Sequence, residues 1–248
     1  MNAIAIVPVS LNSKQLKNKD IYNFGGHPLF AYSIRSAVES KIFSEIICLT
    51  DNFIYGQIGK YYGADQSVLY PQSFFSEDQS NREWLSWLLR HLQEQDFAFD
   101  TIAILGPNNP FNLPEVIERA WSQFKSDPEK RPVQSMDELI YPQELVWKIS
   151  INELPVSLSD DGENPSGIKK TDQCIKIFLR NSAIEIYQKK NNFDLNSQEN
   201  NSIQPFLTKD YEGFRIRNYK DVIIGEHLIS IGKKVTEIDL RSYFMDNI

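Results

Sequence analysis

Basic side chains near both ends of the chain are the residues with the clearest potential for chemistry. Lys14, Lys17 and Lys19 lie in a polar stretch that follows a short apolar run near the amino terminus. A loop of this kind, with lysines and clustered backbone N–H donors after a buried strand, is suited to hold a polyphosphate. Arg215 and Arg217 flank one apolar residue, so a strand would place both guanidinium groups on one face, where they can bind phosphate or carboxylate. The alternative is that both arginines are solvated at the surface.

The composition favours a protein that binds small ligands. The chain has 248 residues, of which 41% are hydrophobic, enough for one substantial core. Its formal net charge of −7 argues against general binding to nucleic acid, which requires a basic face. The sequence shows no bilayer-length apolar run and no secretory pattern at Met1, so we expect a cytoplasmic protein with no membrane partner. Cys48 and Cys174 are expected to be reduced rather than disulfide-bonded or metal-bound.

Short apolar strands alternate with amphipathic segments along the first half of the chain. The predicted strands cover residues 3–8, 45–50 and 101–105, and the predicted helices cover residues 28–39, 53–62, 79–95 and 114–125. This alternation predicts an α/β fold with a mostly parallel sheet and helices on both faces. Because ligands of such sheets bind at the carboxyl ends of the strands, we expect the loops after Pro8, Thr50 and Leu105 to form one crevice.

The regular alternation stops after residue 125. Residues 137–170 mix short apolar runs with prolines and an acidic turn, which predicts an inserted arm or flap outside the sheet. Residues 189–202 are rich in Asn, Gln and Lys and are predicted to form a surface loop. The remaining predictions are regular elements at 174–179 and 183–187, a helix at 221–231 and a strand at 235–240. We therefore expect a single domain over residues 1–248 that carries the arm as an insertion.

Eight short motifs occur in an order and at a spacing that resemble one enzyme family. They are Pro8 with Ser13, Lys14 and Lys19; Gly25-Gly26 with Pro28-Leu29 and Ala31-Tyr32; Thr50-Asp51; Tyr62-Gly63-Ala64; Asp78 with Ser80; Pro107 with Pro110; Pro142 with Trp147-Lys148; and Asn181-Ser182-Ala183. Together they resemble the acylneuraminate cytidylyltransferases, which activate sialic-acid-type sugars with CTP. The resemblance extends over nearly the whole chain.

This resemblance implies a fold, a reaction and a set of partners. The fold is the three-layer α/β sandwich of the nucleotide-diphospho-sugar transferase type, and the arm at residues 137–170 is a dimer contact of a homodimer. The reaction is the transfer of CMP from CTP to an acidic, nonulosonic sugar for surface-glycan synthesis. The cofactor of the family is Mg²⁺, which is held by the two aspartates of a D-x-D motif.

Carried over residue by residue, the resemblance and the basic side chains define two groups of expected site residues. The nucleotide-binding positions are Ser10, Asn12, Ser13, Lys14, Lys19, Ser80, Gly106 and Pro107. The substrate- or anion-binding positions are Asn181, Arg215 and Arg217. No residue is assigned as catalytic. Asp51 is expected to cap the helix that follows it, and Ser80 is as well placed to cap a helix as to bind a ligand.

Several of these positions carry residues that differ from the family pattern. Ser10 stands where the family has an arginine that helps to hold the triphosphate, and larger residues replace the adjoining glycines. Glycine at such positions lets the backbone approach a phosphate closely. Asp20 replaces the asparagine of a K-N pair and adds a negative charge near the expected phosphates. Gly106 and Asn112 replace a glutamine and an arginine of the loop after the third strand.

The largest departure is at the D-x-D motif, where this chain has Arg215, Ile216 and Arg217. Mg²⁺ prefers oxygen ligands, whereas guanidinium groups donate hydrogen bonds and cannot ligate a cation. The sequence therefore predicts no metal ligands at these positions and an anion site in their place.

Three functions remain open on the basis of the sequence. The first is a working cytidylyltransferase that draws its metal ligands from elsewhere. The second is a catalytically silent family member that binds a nucleotide or an acidic sugar, or that supports a partner enzyme. The third is a glycosyltransferase of related fold, which ranks last because such enzymes use a D-x-D metal motif and this sequence has none. Function depends on the site rather than on the fold, so the enzyme question stays open at this point.

Overall fold

A seven-stranded sheet forms the centre of the molecule in the computed structural model. The structure describes residues 2–10, 16–71, 83–142, 147–148, 156–157, 174–189 and 203–243. The strands are β1 (Ala3–Val9), β2 (Asn23–Phe24), β3 (His27–Pro28), β4 (Glu45–Thr50), β5 (Gln66–Leu69), β6 (Thr101–Leu105), β7 (Val133–Pro142), β8 (Trp147–Lys148), β9 (Val156–Ser157), β10 (Cys174–Gln188) and β11 (Gln204–Leu207). The helices are α1 (Leu29–Ser40), α2 (Phe53–Tyr61), α3 (Glu83–Glu94), α4 (Pro114–Ser126) and α5 (Tyr219–Ser230), with a short 3-10 helix at Lys19–Ile21.

The central sheet has the strand order β11-β7-β10-β6-β1-β4-β5. Strand β1 lies between β4 and β6 and is parallel to both, and β5 extends this parallel set at one edge. Strand β10 is antiparallel to its neighbours β6 and β7, whereas β11 is parallel to β7. The short strands β2 and β3 form a separate pair, as do β8 and β9. The predicted mostly parallel sheet is therefore confirmed.

Alternating side chains along β1 divide the core into two layers. Ala5 and Val7 pack against α1, α2 and α4 on one face of the sheet. Ile4 and Ile6 pack against α3 on the other face. Because successive strand residues point to opposite faces, a strand that is apolar throughout requires cover on both sides. Full burial of one such isoleucine contributes roughly 1.5–3 kcal/mol, which explains why both layers form. The predicted three-layer sandwich is confirmed.

A tight turn at Gly25 and Gly26 orients the first helix. Their φ angles of 57° and 98° lie in the left-handed region, which glycine adopts without strain, and the turn joins β2 to β3. Pro28 occupies the N-cap position, so α1 begins one residue later than predicted. The hydroxyl of Tyr32 donates to the carbonyl of Phe24 at 2.8 Å, which attaches α1 to this turn.

The cap of helix α2 differs from the prediction. Helix α2 begins at Phe53, and the side-chain oxygen of Asn52 accepts hydrogen bonds from the N–H groups of Ile54 and Tyr55. Asp51, which was expected to cap this helix, is therefore not the capping residue. Asparagine at the N-cap satisfies backbone donors that have no partner within the helix.

The inner face of α3 is built mainly from leucines. Leu85, Leu88 and Leu92 are fully buried, whereas Trp84 and Trp87 are only partly buried against the same cluster. A leucine stripe at helical spacing buries its apolar surface against the sheet without leaving an indole N–H to satisfy. None of the helices in the described ranges is long and apolar enough to cross a membrane.

The second half of the sheet also differs from the prediction. Residues 137–142, which were assigned to an arm outside the sheet, belong to β7 and pair with β10. The two runs at 174–179 and 183–187 are parts of the single strand β10, whose register shifts between Arg180 and Glu185. The partners in this pair are far apart in sequence, so the local pattern of prolines and polar residues gave no sign of the pairing.

Other differences concern short segments. Strands β5 and β11 were not predicted, because each has only four residues and too little alternation to recognise. The strand predicted at 235–240 does not form, and Val235 and Ile238 instead pack against the hydrophobic cluster around α5. Most of the predicted arm, the predicted loop beyond Lys189, and residues 79–82 of the predicted third helix lie outside the described residues.

Candidate functional site

The carboxyl ends of the parallel strands meet at one edge of the sheet, where ligands of α/β sheets bind. Ser10 follows β1, Asp51 follows β4 and Gly106 follows β6. The chain returns to this edge after β1 through the 3-10 helix, and the N–H of Ser10 donates to Oδ2 of Asp20 at 3.0 Å. This hydrogen bond attaches the end of β1 to the segment that carries the expected phosphate-binding lysine.

Asp20 is a buried carboxylate at this edge. The residue is only 5% exposed, and burial raises the pKa of its carboxyl group. The charges of Lys19 and Arg215 and the N–H of Ser10 oppose this rise in pKa. Its Oδ1 atom is buried and has no hydrogen-bond partner among the described residues. Because a buried and incompletely paired carboxylate is unfavourable, the two nearby cations are needed to stabilise its charge.

Lys19 and Arg215 are the cations that act on Asp20. Burial lowers the pKa of the Lys19 ammonium, and the positive charge of Arg215 lowers it further. Burial also lowers the pKa of the Arg215 guanidinium. The Nε atom of Arg215 is buried without a hydrogen-bond partner in the described ranges. Lys19, Asp20 and Arg215, which we call the crevice cluster, therefore retain an unsatisfied donor and an unsatisfied acceptor.

Arg217 has a different environment from Arg215. Its side chain is 62% exposed, and its Nε atom donates to Oδ2 of Asp221 at 3.1 Å. Asp221 and Asn218 form the capping box of α5, so this ion pair lies at the start of that helix. Residues 214–217 form no strand. The prediction that both arginines lie on one face of a strand therefore does not hold. Whether Arg217 binds an anion stays a prediction.

Two buried asparagines position the segment that carries Arg215, and a third in the same loop contacts β10. The side-chain amide of Asn108 donates to the carbonyl of Ile216 at 3.1 Å, and the N–H of Ile216 donates back to the carbonyl of Asn108 at 2.9 Å. The amide of Asn109 lies within 3.3–3.4 Å of the carbonyls of Asn181, Gly213 and Phe214. The amide of Asn112 donates to the carbonyl of Ala183 at 2.8 Å. We call Asn108, Asn109 and Asn112 the asparagine scaffold.

Ile216 completes this positioning through apolar contacts. It is fully buried in a cluster with Phe24, Phe111 and Val222 of α5. Since both its backbone and its side chain are held, the neighbouring Arg215 has little freedom to leave the crevice. A side chain that is held in place before a ligand arrives loses less entropy on binding.

Two of the expected ligand-binding residues, Gly106 and Asn181, use their polar groups within the fold. Gly106 is buried, its N–H donates to the carbonyl of Ala183, and its own carbonyl accepts from the hydroxyl of Ser33. Pro107 follows it in the same loop and is half-buried. The amide of Asn181 donates to Asp137 and to Thr208, each at 2.8 Å. Contact of these residues with a ligand stays a prediction.

The other predicted site residues divide into two sets. Ser10 and Lys19 lie at the crevice, where their part in nucleotide binding stays a prediction. Four further predicted positions lie outside the described residues: Asn12, Ser13, Lys14 and Ser80.

Comparison with known proteins agrees with the resemblance drawn from the motifs. A family model described as cytidylyltransferase matches residues 4–225. The chain belongs to the cytidylyltransferase family. It is 34% identical over 108 residues to an N-acylneuraminate cytidylyltransferase of Escherichia coli, an alignment that covers 44% of this chain and 25% of the relative. It is 30% identical over 120 residues to a CMP-N,N'-diacetyllegionaminic acid synthase of Legionella pneumophila, covering 48% of this chain and 52% of the relative. The matches thus span about half of these relatives or less.

A solved structure supports the fold of this family member over nearly its whole length. A CMP:2-keto-3-deoxy-manno-octonic acid synthetase complexed with CTP superposes with a TM-score of 0.62 at 12% sequence identity. The superposition covers 93% of this chain and 99% of the other. At this low identity the likeness concerns the fold alone.

A divalent cation does not fit the residues that this family member has in place of the D-x-D motif. Arg215 presents a buried N–H donor, which requires an acceptor and repels a cation. Arg217 is paired with Asp221. Within the described ranges, no group of three or more His, Cys, Asp or Glu side chains is arranged to hold a metal ion. These residues offer guanidinium donors where Mg²⁺ requires oxygen ligands.

The sequence contains a partial signal for the asparagine scaffold. The loop after β6 contains Asn108, Asn109 and Asn112 between prolines, a composition typical of turns. Buried asparagine is uncommon unless its amide is hydrogen-bonded, so three in one loop indicate a hydrogen-bonding role. Their partners lie 71 to 108 residues away in sequence, and no local pattern identifies them.

Proposed function

We propose that this protein binds CTP and transfers its CMP group to an acidic sugar of the nonulosonic class. Membership of the cytidylyltransferase family over residues 4–225 is the observation that carries the proposal. The names of two relatives, which refer to acylneuraminate and to diacetyllegionaminic acid, support the sugar class. The basic side chains of Lys19 and Arg215 at the carboxyl end of the sheet support binding of a triphosphate.

In the proposed reaction a hydroxyl oxygen of the sugar attacks the α-phosphorus of CTP. A new P–O bond forms, the bond to the β-phosphate oxygen breaks, pyrophosphate leaves, and the proton of the hydroxyl passes to water. Such transfers depend on positioning and on neutralising the charge of the phosphates. Lys19 and Arg215 would neutralise the leaving pyrophosphate.

The direct test is a turnover assay with defined sugars. The purified protein is incubated with CTP and, separately, with N-acetylneuraminic, legionaminic and pseudaminic acids, with Mg²⁺ and with EDTA. We expect a CMP-sugar and an equal amount of pyrophosphate with at least one sugar. Absence of both products with all three acids, from protein that is folded by circular dichroism, would contradict the proposed transfer.

A second function is favoured by one specific observation. Arg215 lies where the family resemblance implies a metal-binding carboxylate, and guanidinium cannot supply that chemistry. This favours a catalytically silent member that binds a nucleotide or an acidic sugar and supports a partner enzyme. Binding of CTP without formation of a CMP-sugar would select this function over the first.

A homodimer and a cytoplasmic location are part of the proposal. The supporting observations are the motif resemblance around Pro142 and the composition of the chain. Sedimentation velocity over a range of protein concentrations tests the dimer, and a monomer at all concentrations would contradict it.

A further inference from the structure

We infer that Arg215 binds a phosphate group of the nucleotide directly, so that this protein binds nucleoside triphosphate without a divalent cation. The inference rests on the proposed function, because it takes CTP as the ligand of the crevice. It goes beyond that function by naming the group that takes the place of a metal ion.

The first argument is the unsatisfied hydrogen bonding of Arg215. Its Nε atom is buried, and no described residue accepts a hydrogen bond from it. Buried charged groups in folded proteins are nearly always paired, because an unpaired one is strongly destabilising. The guanidinium group offers several donors in one plane, and a phosphate offers matching oxygen acceptors. An anionic ligand would therefore satisfy what the protein leaves open.

The second argument is the presence of another cation beside it. Lys19 and Arg215 lie close enough for the charge of Arg215 to act on Lys19, and both side chains are partly desolvated. Two desolvated cations repel each other, and an anion bound between them would reverse this repulsion. The negative charge of Asp20 offsets part of this repulsion, and Asp20 is itself buried and attached to the end of β1 through Ser10.

The third argument is that the rest of the fold holds Arg215 in place. Its neighbour Ile216 is fixed by two hydrogen bonds to Asn108 and by burial among aromatic side chains. Arginines with a structural role in the described ranges donate hydrogen bonds to a carboxylate. Arg119, for example, donates from both terminal nitrogens to the two carboxylate oxygens of Glu212, at 2.9 and 2.6 Å. Arg215 has no such partner in the described ranges, although it is more buried than Arg217.

The test is calorimetric titration of CTP into the full chain, once with Mg²⁺ and once with EDTA. We expect the dissociation constants in the two buffers to agree within about threefold, equivalent to less than about 1 kcal/mol. Arg215→Ala should weaken CTP binding in EDTA by about 10- to 100-fold, the loss expected for a charge-assisted contact. Arg215→Lys should recover part of the affinity, because it restores the charge without the planar fork.

The matched control is Arg90→Ala. Arg90 is an exposed arginine of α3, on the opposite face of the sheet, and its removal changes the net charge of the protein equally. CTP affinity should be unchanged in this variant. A thermal unfolding scan of each variant establishes that a loss of affinity is not a loss of folding.

The outcomes separate this inference from the proposed function. CTP binding that requires Mg²⁺, or that is unaffected by Arg215→Ala, overturns the inference while the proposed function stands. Failure of CTP to bind in either buffer contradicts the proposed function. Titration with inorganic tripolyphosphate in EDTA then tests the anion site by itself. Binding that is lost in Arg215→Ala upholds direct phosphate contact, and absence of binding overturns it.

Discussion

The asparagine scaffold and the crevice cluster lie at the same end of the sheet, yet their polar groups are satisfied differently. The amides of Asn108, Asn109 and Asn112 all donate to backbone carbonyls of distant segments. In the crevice cluster, Nε of Arg215 and Oδ1 of Asp20 are buried without hydrogen-bond partners in the described part of the chain. Folding alone therefore satisfies the donors of the first region but not the charged groups of the second.

The scaffold has unpaired atoms too, but they are of a different kind. The Oδ1 atoms of Asn109 and Asn112 have no hydrogen-bond partner among the described residues. These are neutral carbonyl oxygens, and their burial costs less than the burial of an incompletely paired charge. A buried charged group without a hydrogen-bond partner is therefore a better indicator of a ligand site than a buried neutral oxygen without one. Four predictions test this comparison.

The largest expected effect is a loss of stability in Gly213→Ala, which disturbs the packing beside the asparagine scaffold. A Cβ atom at this position would collide with the side chains of Asn181, Asp137 and Thr208, which form one hydrogen-bonded group. We expect the free energy of unfolding, measured in urea, to fall by about 3 kcal/mol. Gly26→Ala is the control, because a Cβ atom there meets nothing within 4 Å and only the φ of 98° opposes it. Equal losses in the two variants would contradict the packing argument.

A smaller loss is expected from Asn109→Ala, which removes the amide shared by three backbone carbonyls. The free energy of unfolding should fall by about 2 kcal/mol, because buried acceptors lose their donor. Arg215→Ala should lower it by less than about 1 kcal/mol, since no described residue accepts a hydrogen bond from its Nε atom and the substitution removes only its attraction to Asp20. A stability loss in Arg215→Ala as large as that in Asn109→Ala would remove the distinction between the two regions.

The pH dependence of stability tests the buried charge of Asp20. Burial raises the pKa of this carboxyl group in the folded protein above its value in the unfolded chain. The wild type therefore loses stability as pH rises from the ordinary carboxyl range through the folded pKa, and the loss persists at neutral pH. Asp20→Asn keeps an acceptor for the Ser10 N–H and removes the charge.

Asp20→Asn should accordingly unfold at a higher urea concentration than the wild type at pH 7. The difference should disappear below the ordinary carboxyl pKa of about 4, where the wild-type side chain is also neutral in both states. A wild type that is more stable than the variant at pH 7 would show that Lys19 and Arg215 outweigh the burial of Asp20.

The smallest expected effect is a gain in Ser182→Gly, beside the scaffold. Ser182 has a φ of 58°, in the left-handed region that glycine adopts without strain. Relief of this strain, less the entropy that glycine adds to the unfolded chain, should raise the free energy of unfolding by about 0.5 kcal/mol. Ser182→Ala keeps the strain, so it serves as the control and should show no gain. A gain in both variants would point to the serine hydroxyl instead of the backbone.

Local patterns predicted the parallel part of the fold well. Strands β4 and β6 have the predicted bounds, strand β1 and helices α2 and α4 differ from prediction by one residue at one end, and α1 differs by one residue at each end. Each of these elements has its own apolar period, which a short window of sequence contains. Strand β7 was missed, since it depends on antiparallel pairing with a strand about forty residues later, and no short window shows that pairing.

The candidate site was predicted only in part. The sequence indicated Lys19 and Arg215 from residue type and motif position, and the structure places both in electrostatic contact with Asp20. Asp20 was noted only as an added negative charge, although it is the buried centre of the cluster. The asparagine scaffold was not predicted, because its hydrogen bonds connect loops that only the folded chain brings together.

The sequence by itself determined the family and the layered α/β architecture, because motif order and apolar periodicity are properties of the chain read locally. Only the tertiary structure decided that Arg215 is partly buried in the crevice whereas Arg217, two residues later, is exposed and paired with Asp221. Asn108 and the apolar cluster around Ile216 turn Arg215 towards Lys19 and Asp20, while the capping carboxylate of Asp221 holds Arg217 at the surface. The physical reason is that Arg215 lies about two hundred residues after Lys19 and Asp20 in the sequence, and only packing brings the three side chains to one crevice.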